Sequence, residues 1–523
     1  MNKSYDIEKL KEHVKSNPKN KNAWNSLAFA YLEVGKVNDA LNCYEQILKR
    51  YPRDAKTYHK KAVIEEWLDL SENALKTIDL ALKYDPENAE NYYAKGWLLH
   101  RKGKYNESID LFQKVIDKEP THFNALDYLY KSLFMLSSYR EIINHSETVL
   151  PMYEKMLDDL IEKEKKEEEE ERRREDEKRI EDDEFSSYRF YKKLANDSFL
   201  TSFAESEKIA EKKPEKRASD IVSEKILKIY KYVSVSAMRI QDFEYAKKSL
   251  EKEMKLDPND LTALYYSGLV EEALGNTENA IGYFNLILEK DPKFQNAKMK
   301  LANIYSMSEN PEDLKKASTL FEQIVNEQPE NTHARYSLAK LYEKEGDLKK
   351  ASDSFKKIIE MSPRHLNSYE ELAKILIRQN KITDAEKYLI DAESINPFDY
   401  EISNLCGIVY TKLEKISDAK KMFEKAIQLD PFSPKAYFNY GILNLQTEQF
   451  EEAVSNLEKA ANADIQNENA YFYLGIAQSK SEKYSDALKS FKTAKELNEN
   501  SNDLNKDLKE DIEKAIDFVS NRV

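Results

Sequence analysis

Apolar and small side chains recur along this chain in a unit of 34 residues. With Lys21 as position 1, the first unit places Trp24, Leu27, Ala28 and Tyr31 at positions 4, 7, 8 and 11, then Ala40, Tyr44 and Ile47 at 20, 24 and 27. The unit from 261 places Leu264, Ser267, Gly268, Glu271, Ala280, Phe284 and Ile287 there, and the unit from 332 places Arg335, Leu338, Ala339, Tyr342, Ala351, Phe355 and Ile358. Positions 4, 7, 8 and 11 share one helical face, and 20, 24 and 27 share another. The pattern therefore predicts two amphipathic helices joined by a short turn in every unit.

Proline and glycine keep the same step. Pro18, Pro52, Pro86 and Pro120 are 34 apart, as are Pro258 and Pro292; after one step of 37, Pro329, Pro363, Pro397 and Pro431 resume it at position 32. A helix breaker at a fixed interval marks a stack of like units that all turn at the same point. Position 20 is alanine in ten of twelve units, with Ser108 and Ile142 in the others, so the two helices are expected to approach closely there. Gly96, Gly268, Gly407, Gly441 and Gly475 sit at position 8, where a side chain would meet the partner helix. Gly35, Gly103, Gly275 and Gly346 sit at position 15, in the inter-helix turn, leaving only Gly282 outside the scheme. No glycine-rich phosphate loop can be built from that remainder.

These residues resemble the signature of the tetratricopeptide repeat, in register in units beginning at 21, 55, 89, 123, 227, 261, 295, 332, 366, 400, 434 and 468. The resemblance implies an all-α, right-handed α-solenoid of about twelve helix pairs. The unit from 123 departs from it, with Ile142 and Ser146 where alanine and an aromatic belong and no proline at position 32. The unit from 295 carries three extra residues around Ser308–Pro311, which suggest a longer inter-helix turn, and Ile465 replaces a proline. The expected organisation is an N-terminal cap (1–20, its helix over 4–16), a first array (21–154), an insertion (155–226), a second array (227–501) and a C-terminal capping helix (502–523). In that last helix Leu504, Leu508, Ile512, Ile516 and Val519 mark the apolar stripe.

The insertion breaks the repeat. Residues 161–184 hold fourteen acidic and eight basic side chains, with Glu168, Glu169 and Glu170 four residues before Arg172, Arg173 and Arg174. That order favours helical ion pairs, so a solvated, coiled-coil-like strut is one reading and a disordered charged linker the other. Six aromatics follow, Phe185, Tyr188, Phe190, Tyr191, Phe199 and Phe203. They either seal against the neighbouring repeat or form a docking segment. Residues 204–219, with Pro214, read as a polar linker.

The net charge of −14 argues against sequence-independent binding to nucleic acid or an anionic membrane surface. No apolar stretch is long enough for membrane insertion, and the opening residues do not read as a signal peptide. Cys43 and Cys406 read as buried free thiols of a reducing compartment, so a cytoplasmic location is expected. The seven histidines include no pair at metal-ligand spacing, and no nucleophile–base constellation stands out. No catalysis, cofactor or metal is expected.

The resemblance implies that first helices line a concave groove through positions 2, 5, 6, 9 and 12. These positions carry Phe29, Leu32, His59, Tyr93 and Trp97 early on, then Tyr232, Val235, Tyr265, Tyr266 and Leu269, and finally Phe438, Ile442, Phe472, Tyr473 and Ile476. Between the last two groups they are charged, around Lys340, Glu343, Glu370, Glu371 and Lys374. Apolar grooves of this kind suit a peptide or an amphipathic helix of a protein partner. The lysine, asparagine and arginine set that clamps acidic chaperone C-termini does not occur in any three consecutive units, nor does an asparagine ladder at position 6. The expected role is a non-catalytic scaffold or adaptor. The alternatives are an assembly or chaperone-like factor holding apolar clients, and a regulatory subunit docked through the insertion.

Overall fold

Most first helices begin just after a repeat proline, with a capping side chain two residues beyond it; those from Ala55, Gln295 and Leu366 have no side-chain cap, and the one from Glu468 follows Ile465 instead of a proline. Asn20, Asn88, Asp260, Asn331, Asp399, Ser433 and Asn467 all accept hydrogen bonds from the free N–H groups of the next turn. The helices they start run thirteen residues, as in Lys21–Glu33, Thr332–Lys344 and Tyr400–Lys412. Three residues then turn the chain into a second helix of fourteen, as in Val37–Arg50, Leu348–Met361 and Ile416–Leu429. The middle turn residue is left-handed in every one of these units. Gly35, Gly103, Gly275 and Gly346 supply it, but Asp69, Ser137, Gln241, Asn380, Glu414, Glu448 and Glu482 hold the same conformation, with φ between 58° and 63°. The geometry of the hairpin, not the glycine, is the constant.

The computed structural model describes residues 7–193, 216–500 and 506–523, without the side chains of 176–193. Among the described residues there are 26 helices and no strand. The protein is an all-α repeat solenoid, and its contacts divide it into two compact units, Met1–Ile287 and Leu288–Val523. The helix Ile7–Ser16 precedes the first pair, with Val14 in its core, and Lys506–Ser520 follows the last, burying Leu508, Ile512 and Val519.

The twelve residues at position 20 are the most completely buried set in the chain. Ala40, Ala74, Ser108, Ile142, Ala246, Ala280, Ala317, Ala351, Ala385, Ala419, Ala453 and Ala487 all have 0% exposure. Beside them, position 24 fills the gap between helices with Phe112, Phe284, Phe321, Phe355, Phe423 or Phe491 in six units. Burying one such ring stabilises by about 2–3 kcal/mol. Position 8 must then stay small. A Cβ added at Gly407 would lie 2.5 Å from Phe423 Cε1, and one at Gly268 2.6 Å from Phe284 Cε1.

The irregular unit from 123 solves the same packing problem in reverse. Tyr130 stands at position 8 and is fully buried, while Ser146 at position 24 is small. The ring comes from the first helix instead of the second, and its hydroxyl lies 3.1 Å from His145 Nδ1. What reads in sequence as decay is a volume-conserving exchange.

In the unit from 295 the expected longer turn is longer by one residue only, and most of the insertion lies in the second helix. The turn after Gln295–Ser306 has four residues, and the second helix, Pro311–Glu327, has seventeen. The extra residues become one more helical turn. Asn310 caps it through the Glu312 N–H, Pro311 occupies the first helical position, and Glu312 and Asp313 face the positive helix end.

The interruption is a helical hairpin at its base. The second helix of the irregular unit does not stop but runs from Tyr139 to Lys193, through Pro151, for 55 residues. At about 1.5 Å per residue that is about 80 Å. The chain returns in Ala218–Arg239, nine residues of which precede the regular first-helix start at 227. Phe112, Leu129, Tyr130, Val149 and Tyr153 share one core with Val222, Ile226, Ile229 and Val233. The repeat packing is therefore continuous through the sequence gap. Outside that core, Glu154 accepts from Tyr230 Oη at 2.7 Å, and Glu164 accepts from the Ser219 N–H at 3.0 Å, capping the returning helix. Arg217 pairs with Glu168 at 2.6 Å, beyond which residues 169–175 are solvent-exposed, apart from an ion pair of Arg174 with Glu170 at 3.5 Å. The side chains of Phe185, Tyr188, Phe190 and Tyr191, and all of Phe199, Phe203 and 204–215, lie outside the described residues, as does Leu504.

Candidate functional site

In the unit Met1–Ile287 the first helices are stitched to one another by polar contacts at the positions expected to face a ligand. Lys60 donates to Asn25 Oδ1 at 3.1 Å, and His59 Nδ1 lies 3.0 Å from Asn91 Oδ1. Trp97 donates its indole N–H to Tyr128 Oη at 3.1 Å, while Arg101 covers the Trp97 ring and pairs with Glu66 at 2.6 Å. Tyr93 packs its ring near Tyr128, His122 and Phe112, with centroids 6.3, 5.0 and 6.1 Å away. Tyr232 in turn lies 5.8 Å from Tyr130. Tyr93, Trp97, Tyr128 and Tyr232 are all half-buried, so this strip presents ring edges while its bodies are held by the fold.

Asp127 is the hub. It accepts from Lys228 at 2.7 Å and Tyr232 Oη at 3.0 Å, both from beyond the interruption, and pairs with Lys131 at 3.0 Å. Burial pushes its carboxyl up, but hydrogen bonds from Lys228 and Lys131 outweigh this and hold it below the ordinary carboxylate range. Burial raises the Tyr93 phenol to about 12, and burial with the Asp127 charge raises Tyr232 as well. These hydroxyls are hydrogen-bonding groups and not acids at neutral pH. Burial, then the Lys131 charge, lowers His100, whose Nδ1 is 2.8 Å from Ser132 Oγ. Asp127 stands at position 5 of its unit, but the sequence pattern does not show its partners, which depend on which helix follows across a gap of 72 residues in the repeat.

The other candidates of this unit are less uniform. Phe29 is 49% exposed, and Tyr265, Tyr266 and Leu269 are half-buried. Tyr265 packs on Phe284 at 5.9 Å and on Tyr266 at 6.1 Å.

In the unit Leu288–Val523 the charged positions cancel one another. Lys340 bridges Glu343 at 2.6 Å and Glu371 at 2.5 Å; Lys374 contacts Glu370, Glu371 and Glu401; Arg378 pairs with Glu343. Burial lowers Lys340, but its hydrogen bonds to Glu343 and Glu371 outweigh that and raise it. This stretch is a cross-repeat ion-pair network and not a field of one sign. Further on, Phe438 and Tyr473 meet edge to face at 5.7 Å, both half-buried. Phe472 faces inward instead. It is 9% exposed, packs 5.8 Å from Phe491 and belongs to one core with Leu508 and Ile512 of the terminal helix.

Both cysteines are buried and unpaired, and burial raises each thiol to about 12. Among the described residues no three His, Cys, Asp or Glu side chains are grouped to hold a metal, and no helix is long and apolar enough to cross a membrane.

Family profiles of the tetratricopeptide repeat match residues 26–54, 235–293 and 422–455, and that of the tetratricopeptide repeat-like domain matches 291–437. A profile of the anaphase-promoting complex, cyclosome, subunit 3 matches 68–149. With the helix pairs and the in-register core, these matches place the chain in the tetratricopeptide-repeat family. Among curated proteins it is similar to Hsp70-Hsp90 organizing protein 2 of Arabidopsis thaliana, 26% identical over 92 residues, which is 18% of this chain and 16% of that protein. It is also similar to cytochrome c-type biogenesis protein CycH of Rhizobium meliloti, 25% identical over 117 residues, 22% of this chain and 31% of that one. The chain thus spans less than a third of each curated relative. Among solved structures, yeast Tom70 aligns over 96% of this chain and 95% of its own at 16% identity and a TM-score of 0.36. The Cut9–Hcn1 hetero-tetramer of APC/C aligns over 98% and 92% at 12% identity and a TM-score of 0.37.

Proposed function

We propose that the protein is a non-catalytic adaptor that receives a peptide or helix segment of a protein partner on its first-helix face, centred on Tyr93, Trp97 and Tyr232. Tetratricopeptide-repeat proteins serve as protein-interaction scaffolds, which supports the general role. The observation that carries the specific reading is the half-buried aromatic strip braced by Trp97–Tyr128 and Asp127–Tyr232 hydrogen bonds. Rigid aromatic surface that stays partly open contributes contact area at low entropic cost. Phe29, Tyr265, Tyr266 and Leu269 extend this face in the first unit, and Phe438 and Tyr473 provide a second patch in the other. Phe472 has no part in it.

The acidic C-terminal tails of chaperones are not the occupant, despite the likeness to Hsp70-Hsp90 organizing proteins, because the clamp residues are missing. The test is a panel of fluorescent peptides, aromatic, aliphatic and acidic, measured by anisotropy against the wild type and Tyr93→Ala/Trp97→Ala. Apolar peptides should bind and the double variant should weaken them about tenfold or more. Equal binding by the folded variant would sink the assignment.

A further inference from the structure

Position 33 follows the repeat proline at the tip of each inter-repeat turn. In most units it is charged, as Lys19, Arg53, Glu87, Lys293, Glu330 and Arg364 show. Two successive turns carry phenylalanine instead, and the fold covers neither: Phe398 is 79% exposed and Phe432 84%. In the next turn Ile465 replaces the proline and is 63% exposed. A lone exposed apolar side chain needs no explanation, but three on one edge of consecutive repeats form a patch that the chain leaves in water. None of the three contributes to the cores of this unit, so stability does not account for them.

Each turn also holds a carboxylate in place. Asp399 accepts from the Glu401 and Ile402 N–H groups at 3.0 and 3.1 Å, Asp430 from the Phe432 N–H at 3.1 Å, and Asp464 from the Gln466 N–H at 3.3 Å. Among the described residues none of these three carboxylates has an ion-pair partner. The neighbouring cation, Lys435, lies 3.7 Å from Glu401, which is shared with Lys374. The edge is therefore an apolar row flanked by carboxylates that the backbone holds in place and that have no ion-pair partner among the described residues.

We propose that the turn edge formed by Phe398, Phe432 and Ile465 is a docking surface for a basic amphipathic helix of a partner protein. Its apolar face would cover the three side chains, and its lysines or arginines would meet Asp399, Asp430 and Asp464. Aromatic anchors supply the affinity of such a contact, and the carboxylates supply its sign and its salt dependence. The surface lies on the turns and is separate from the first-helix face.

The probe is a labelled synthetic amphipathic helix of leucine and lysine, titrated into the full chain by anisotropy. Phe398→Ser/Phe432→Ser should weaken binding about tenfold or more with an unchanged melting temperature, since both rings are exposed. Asp430→Asn/Asp464→Asn should flatten the salt dependence, and the leucine–glutamate counterpart should not bind. Tyr93→Ala/Trp97→Ala should bind the probe like the wild type, so a failure here is distinct from a failure of the aromatic strip. Undiminished binding by the double serine variant, or equal binding of the acidic peptide, overturns the proposal. So does a wild-type dimer that Phe432→Ser converts to a monomer, which would make the edge a contact between copies of this chain.

Discussion

Glu253 occupies position 27 of the unit from 227, where every other unit has isoleucine, valine or alanine. It is 2% exposed, and its Oε1 has no hydrogen-bond partner. Burial is the largest influence on it, and Ser234 and the Lys231 charge only partly offset that, while Asp260 adds to it. The carboxyl is raised from 4.5 to about 7. A shift of this size corresponds to about 3 kcal/mol between the protonated and ionised states. The folded value lies above the unfolded one, so stability is full below pH 4.5, falls as pH rises from there to about 7, and stays reduced above. Glu253→Gln keeps the shape and removes the ionisation. The variant should match the wild type near pH 4.5 and exceed it by up to about 3 kcal/mol above the folded value of about 7. Guanidinium melts of both proteins across this range measure the difference, taking the transition of the N-terminal unit where unfolding is not two-state. A wild-type-to-variant difference that is the same at both ends of the range would refute the reasoning.

Two glycines at different repeat positions should respond oppositely to alanine. Gly407→Ala drives a Cβ to 2.5 Å from Phe423 and should destabilise by about 1–3 kcal/mol, whereas Gly282→Ala meets nothing within 4 Å and should stabilise by about 0.5–1 kcal/mol, both read from thermal melts. Glu448→Gly should raise the melting temperature, because Glu448 holds φ 59° at a cost of about 1–2 kcal/mol that the greater unfolded-state entropy of glycine only partly offsets; no change would show the turn is unstrained.

The repeat itself was fully legible. A helix pair that must pack on an identical neighbour needs the same small residue, the same ring and the same turn each time, so Ala40 to Ala487, the position-8 glycines and the prolines announce the fold without any long-range information. Departures from the pattern were legible as departures but not as solutions. Tyr130 and Ser146 are unremarkable apart and complementary only when the two helices meet. Asn310 and Pro311 are a helix start, yet their place beside an inserted stretch suggested a turn.

The candidate site divides along the same line. Tyr93, Trp97 and Tyr232 followed from position numbers, but Phe472, at an equivalent position, is buried against Phe491 in the core shared with the terminal helix. The groove positions around Lys340 and Glu371 are charged in the sequence, and only the structure shows that they satisfy one another across repeats.

The 34-residue period determined the helix pairs, their close approach and the absence of spare glycine, because those depend on contacts made within a unit or with the next one. Tertiary structure alone decided that the core runs on through the interruption. Val222 and Ile226 share a core with Tyr153 and Val149, and Asp127 meets Lys228 and Tyr232, across an interruption whose length no local pattern encodes. Periodicity records what each repeat asks of its neighbour; which segments become neighbours after a break is settled only when apolar faces find one another in space.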